Sequence, residues 1–347
     1  MDIGIGLDPT LRLDIEQQKE MSREAARLGY QSIWTPEVPG QMDSYQVCLM
    51  RWAASNEIVD GGLETGIAVS PVMWRTPMAF AMTGGTVSHM TGGKFIMGIG
   101  AGGAYRPDVR RTIGLPKMSA LSLMRDYISI IKELVNEGKT DYEGDVGIMK
   151  GGRMSINPLP KTPVYLGALG PKMLQLAGEL ADGAALNWCA PEQVAWSRDR
   201  IAEGAEKVGR DPSEIKVSEY IRICVDEDED RARIALAKAT MQYALGATVP
   251  TEKERSFGYR AHFERMGFTS ELAELDEMRK KGASRDEVAD AFPVDLLRTV
   301  GYFGNAENAA AEFARISKGL DHTIVLSLIH ISEPTRRYAI AYAGFWV

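Results

Sequence analysis

Few residues in this 347-residue chain have the types and spacing that chemistry asks for. Asp8 and Glu37 each stand just beyond a short apolar run, as does Asn187. The run Lys94–Ile99 leads straight into Gly98, Gly100, Gly102 and Gly103. So many glycines leave no side chain to hold a flat or charged ligand off the backbone. Read literally, Gly98-x-Gly100-x-x-Gly103 matches the dinucleotide fingerprint, which needs a helix opening inside the glycines. Ala-Tyr-Arg-Pro follows instead, and Pro107 argues against an immediate helix. The alternative is a glycine-rich turn closing a barrel strand. No His, Cys and carboxylate cluster has metal-ligand spacing, and no Ser or Cys nucleophile stands in a recognisable arrangement with a histidine. A site with few acid–base groups and much exposed backbone points to a bound cofactor as the carrier of the reaction.

The elements that must position these residues repeat. Short apolar strands are expected near residues 3, 32, 64, 95, 164, 183, 218 and 323, alternating with helices. The first four are spaced by roughly thirty residues, which suits successive βα units rather than hairpins. Asp14 can cap a helix that stops at Gly29, and Pro77 and Pro171 mark helix starts. A hairpin excursion is expected within residues 143–156, and a long, charged, largely helical insertion follows the seventh strand. Eight such strands imply an α/β fold, a parallel (β/α)8 TIM barrel, with the insertion as a lid or partner surface. Active sites of such barrels lie at the C-terminal strand ends. That rule selects Asp8, Glu37, Gly66–Ser70, Ala101–Gly103, Gly167–Gly170 and Asn187, and leaves His89, which precedes a strand, as structural.

Composition narrows the class further. A net charge of −7 without a basic patch speaks against a nucleic-acid binder. No apolar run is long enough to span a bilayer, and Met1-Asp-Ile-Gly begins at once as a strand, so a cytoplasmic protein without a membrane partner is expected. Cys48, Cys189 and Cys224 fit neither a disulfide framework nor a zinc cluster and read as small buried residues in a reducing compartment. The stretch Leu326–Arg336 resembles the translation of a sequencing-library adapter. Residues 1–325 are therefore taken as the barrel and 326–347 as read-through.

Five blocks in order carry a resemblance: Leu28-Gly-Tyr-Gln-Ser-Ile-Trp-Thr-Pro-Glu37, Thr65-Gly-Ile-Ala-Val69, Thr91-Gly-Gly-Lys-Phe-Ile-Met-Gly-Ile-Gly-Ala-Gly102, Val164-Tyr-Leu-Gly-Ala-Leu-Gly-Pro171 and Ala181-Asp-Gly183. Together they resemble the bacterial luciferase-like superfamily, and Gly98-Ile-Gly-Ala-Gly102 is similar to its deazaflavin-dependent branch, which includes the methylene-tetrahydromethanopterin reductases. The resemblance implies an oxidoreductase that transfers a hydride between coenzyme F420 and an organic small molecule, with FMN the cofactor in other branches. It implies a non-proline cis peptide at Gly66-Ile67, with Ala68 beside it, backing the cofactor ring. Ala101 and Gly102 would line the cofactor, Gly167, Ala168, Leu169 and Gly170 would contact its phosphate, and Asn187 its tail. Glu37 and Asp8 are the implied catalytic candidates, and a homodimer is implied.

Departures limit the analogy. Val38 and Gly103 stand where the glucose-6-phosphate dehydrogenases of this superfamily carry a histidine and a glutamate. Gly6 stands at the strand-one glutamate of the pterin reductases, leaving only Asp8 nearby. An FMN-dependent monooxygenase and a catalytically silent barrel remain alternatives. In the insertion, Tyr259, Arg260, His262 and Arg265 are read either as a lid whose cations close over a polyanionic ligand or as a solvated helix face.

Overall fold

The computed structural model describes residues 2–104, 106–112 and 114–328. The strands are β1 (Asp2–Gly6), β2 (Ser32–Thr35), β3 (Glu64–Pro71), β4 (Phe95–Gly100), β5 (Lys139–Glu143), β6 (Ile148–Arg153), β7 (Val164–Gly167), β8 (Gly183–Asn187), β9 (Lys216–Val225), β10 (Gly301–Gly304) and β11 (His322–Ser327). Nine of them form one sheet in the order β10-β9-β11-β1-β2-β3-β4-β7-β8, and β9 also pairs with β8, which closes it. The fold is the expected parallel (β/α)8 barrel. The four-residue β10 adds a pairing along β9 that was not expected.

The chain divides into two compact units: Met1–Ala185 with Arg198–Ser218, and Leu186–Ser197 with the described residues from Glu219 onward. In the first, β2, β3 and β4 run side by side with Trp34 opposite Gly66 and Ile67 opposite Met97. All six residues of β4 are buried, as a strand covered on both faces requires. Phe80, Tyr45 and Ile67 are likewise without exposure. Helix starts follow the sequence signals. Asp14 and Gln17 form a capping box on Ile15–Arg27, and Thr76 caps Pro77–Met90 with proline in the first turn. The hairpin β5–β6 begins four residues earlier than expected. It is held by buried Asp126, which accepts from Val146 N, Gly147 N and Tyr142 Oη at 2.7, 2.8 and 2.9 Å.

The second unit has its own core. Trp188, Leu236, Phe263, Leu272, Phe292 and Leu296 form its centre, so the insertion is a packed helical body rather than a loose cover. Asp226 does not cap the following helix. Asp228 does, while Asp226 pairs with Arg231. β11 runs to Ser327 and Leu326 is buried, so the last strand extends two residues past the expected boundary at 325. The rest of the expected read-through segment, from 329 on, lies outside the described residues.

Candidate active site

In the first unit, β3 breaks register between Ile67 and Ser70 and carries a non-proline cis bond at Ala68–Val69. The expected cis bond at Gly66-Ile67 is therefore misplaced by two residues. Gly66 and Ile67 still pair regularly with β2 and β4, so the irregularity begins only where that pairing ends. Gly66 does not face open space either, because a Cβ there would run into the Trp34 ring.

The glycines of β4 answer the irregular part of β3. A Cβ on Gly98 would strike Ile67 O, one on Gly100 would meet Val69, and one on Gly102 would meet Pro71. Their missing side chains make room for the neighbouring strand, which corrects the expectation of backbone bared for a ligand. Pro107 also differs from expectation: it opens a six-residue helix, Pro107–Thr112, where proline is tolerated because the first turn needs no N–H partner.

Beyond β2, Glu37 is buried and its N–H donates to Val69 O at 3.3 Å. Arg75 donates to both its carboxylate oxygens, at 2.5 and 2.6 Å, and also to Asp43 and to Ser70 Oγ. The Ser70 hydroxyl donates to Glu37 as well. The Arg75 guanidinium lies 4.8 Å from the Tyr45 ring centre. Burial alone would lower its pKa, but the Glu37 hydrogen bonds and charge outweigh that and raise it. Glu37 is thus the held half of a bidentate ion pair, not a carboxylate standing free for proton transfer. Sequence reasoning missed Arg75. The signal was there: it follows the end of β3, the same strand-end rule that selected Glu37.

Glu37 and Asp8 are not brought into one cavity. Glu37, Val38–Asp43 and Trp74 line a cavity of about 360 Å³. Asp8 lines a separate one of about 50 Å³ with Arg12, Ser44 and Arg51, and Gln41 and Met42 border both.

Around β7 the four expected phosphate contacts divide. Ala168 is buried with its N–H on Ala185 O at 3.2 Å, and a Cβ on Gly167 would press on Val69. Gly170 is different: it precedes the helix Pro171–Leu180 without a side-chain cap, and a Cβ there would meet nothing within 4 Å. Leu169 is partly buried, and of the two glycines Gly170 is the one beside open space, at a helix N-terminus.

Asn187 belongs to a cluster in the second unit. Its amide donates to Tyr259 Oη at 2.8 Å, and its carbonyl oxygen accepts from Arg222. Arg222 stacks 3.9 Å from the Trp188 ring centre, and Trp188 has φ +59°, an outlier for so bulky a residue. Both hydrogen-bonding ends of Asn187 are therefore engaged by protein groups, against its expected contact with a cofactor tail. Beside it, Cys189 N–H donates to Glu219 Oε1 at 2.6 Å, and Glu219 Oε2 is buried without a partner among the described residues. Burial pushes the Glu219 carboxyl up to about 8. Burial also lowers His262 to about 4, and its Nε2 lies 2.8 Å from Trp188 O.

The lid cations differ: Arg260 is buried and Arg265 is exposed. Arg260 is 6% exposed and pairs with Glu264 and Asp276, both at 2.7 Å. Arg265 lies over Trp196. Arg260 and buried His262 are internal to the insertion, against both readings, while exposed Arg265 keeps to the solvated helix face. His89 sits in the last turn of its helix with its side chain exposed. The three cysteines are free and buried, as expected. Among the described residues no His, Cys and carboxylate group could hold a metal, and no helix is long and apolar enough to cross a membrane.

The family model for luciferase-like monooxygenases matches residues 3–323. The chain belongs to that family. A 5,10-methylenetetrahydromethanopterin reductase of Archaeoglobus fulgidus is 27% identical over 74% of this chain and 73% of its own length. A protein of Mycobacterium tuberculosis named as a coenzyme F420-dependent oxidoreductase is 25% identical over 86% and 87%. Among solved structures, the coenzyme F420-dependent tetrahydromethanopterin reductase of Methanopyrus kandleri superposes with TM-score 0.77 at 20% identity, covering 100% of this chain and 98% of that one. In this luciferase-like chain the five sequence blocks fall on β2, β3, β4, β7 and the start of β8 with the turns that follow or precede them. The resemblance thus located the strand-end ring but not the side chains that fill it.

Proposed function

We propose that this luciferase-like protein is an F420-dependent oxidoreductase that exchanges a hydride between the deazaflavin and an organic small molecule. The observation that carries the reading is that relatives named for F420 or pterin-reductase chemistry align across most of the chain. The chain's own residues fit the group. The helix terminus at Gly170 offers open space, the positive end of the helix dipole and the N–H of Lys172 to a phosphate, Pro171 having no N–H to give. The β3 irregularity, Ile67–Ser70, supplies backbone for a planar ring, with the small Ala101 just beyond the end of β4. When bound, F420 supplies the hydride chemistry, and the protein's part is to position it and to exclude water. Glu37, locked by Arg75, serves as a fixed acceptor and an anchor for the loop above it. A reducing cytoplasm suits three free buried thiols, and a homodimer belongs to the same proposal.

An FMN-dependent monooxygenase is the second reading, supported by the family description itself. Separate titrations with F420 and FMN, read by fluorescence quenching, distinguish the two. F420 binding is expected, and Gly170→Asp should weaken it about tenfold by placing like charge at the phosphate position. FMN binding without F420 binding would favour the monooxygenase, and binding of neither would leave a silent barrel.

A further inference from the structure

The cavity bounded by Glu37–Asp43 and Trp74 has walls of two kinds. Val38, Pro39, Met42 and Trp74 are apolar or aromatic, and Met42 is 46% exposed. Glu37 and Asp43 are carboxylates, and Arg75 is the cation placed between them. Arg75 looks at first like an anion receptor. Its contacts say otherwise. One terminal nitrogen serves Glu37 Oε2 and Ser70, the other Glu37 Oε1 and Asp43, so all four N–H groups of the fork are taken. Its flat face is turned to Tyr45 and Phe80, at 4.8 and 5.7 Å. A guanidinium used in this way keeps only its Nε–H, and no two-pronged face, for a phosphate or carboxylate.

The local balance is one guanidinium against two carboxylates. Asp43 also caps Ser44–Asn56, accepting from Tyr45 N and Gln46 N, so that helix terminus offsets about half a charge. The remainder is negative. Across Gln41 and Met42, the smaller cavity holds Asp8 with Arg12 and Arg51, of which Arg51 is buried and donates to Leu7 O and Gln18 Oε1.

We propose that this cavity is the substrate subsite of the protein and that Asp43, whose side chain is one-third exposed, sets its specificity for an uncharged or cationic group with an aromatic or N–H-rich body, against anionic substrates. The proposal rests on the oxidoreductase reading for the word substrate, but the binding preference stands apart from the cofactor. The apolar walls contribute area, Trp74 offers a ring for stacking or for a cation, and the excess carboxylate charge selects the sign.

The test uses three probes of one shape: benzylamine, benzyl alcohol and benzyl phosphate. Their dissociation constants are measured on the full chain by saturation-transfer NMR, with Trp74→Phe as the control for location. Benzylamine should bind more tightly than benzyl alcohol, and benzyl phosphate least. Asp43→Asn keeps a good helix cap, so the fold is retained. It should lower the benzylamine preference over benzyl phosphate about fivefold or more, since one charge near the probe is removed. Raised salt should shrink the preference in the wild type and less in the variant. Equal binding of the amine and the phosphate, a ratio unchanged by Asp43→Asn, binding indifferent to Trp74→Phe, or no binding of any probe would each overturn the proposal. F420 titration of the same variant reports separately on the cofactor reading, because the probes need no cofactor to bind.

Discussion

The Trp34 ring occupies the space into which any side chain at Gly66 would project, and the two residues are register partners on β2 and β3. Trp34 is fully buried and its indole N–H donates to Ser32 Oγ at 2.8 Å, so the ring is fixed from behind.

Gly66→Ala should therefore destabilise the protein by about 1–3 kcal/mol through overpacking, and Gly66→Val should fail to fold. Thermal unfolding followed by circular dichroism checks both. A folded Gly66→Val protein with a native melting temperature would show that the ring can move aside.

Arg75→Met removes the partner of a carboxylate that is 5% exposed in its side chain. Breaking such a pair costs about 3 kcal/mol, because the remaining charge stays buried without compensation. The double variant Glu37→Gln/Arg75→Met should recover part of that loss, which urea unfolding of the four proteins in a double-mutant cycle would read.

Glu219 makes stability depend on pH. Its folded pKa, raised to about 8 by burial, lies above the ordinary carboxylate value. Above that ordinary value the unfolded chain has lost the proton that the native state still holds. Stability therefore falls as pH rises, until the native carboxyl also ionises near 8. Glu219→Gln retains an acceptor for Cys189 N–H and should flatten this decline, with a gain of a few kcal/mol near neutral pH. Unfolding midpoints at pH 5, 6, 7 and 8 would show parallel curves for the two proteins if Glu219 were ionised throughout.

Arg260→Ala should cost about 2 kcal/mol through its lost charged hydrogen bonds, since Glu264 keeps Arg255 and Asp276 keeps Arg279, while leaving F420 affinity unchanged. Weaker cofactor binding at full stability would restore a ligand-closing role for this arginine.

Much of the fold was legible because its signals are local. Short apolar runs, the cap at Asp14 and the prolines at 77 and 171 each act within a turn of where they stand. The site was legible only as far as strand ends. Glu37 was found, but its partner Arg75 lies 38 residues on, and no local rule pairs them. Gly66 and Asn187 were misread for a related reason. A glycine looks open and an amide looks free until the register with Trp34, or the approach of Arg222 and Tyr259, is known. The displaced cis bond shows the same limit, since a family block fixes a strand more readily than a single peptide within it.

The glycines of β4 and of the turn beyond it are a cast of their neighbour: Gly98, Gly100 and Gly102 record the shape of Ile67, Val69 and Pro71 in the next strand. What looks in one dimension like a self-contained ligand motif is half of a two-strand joint. An engineer who grafts the glycine segment into another barrel without β3 would transplant a row of voids. Moving both strands together, or neither, is the rule that this packing imposes.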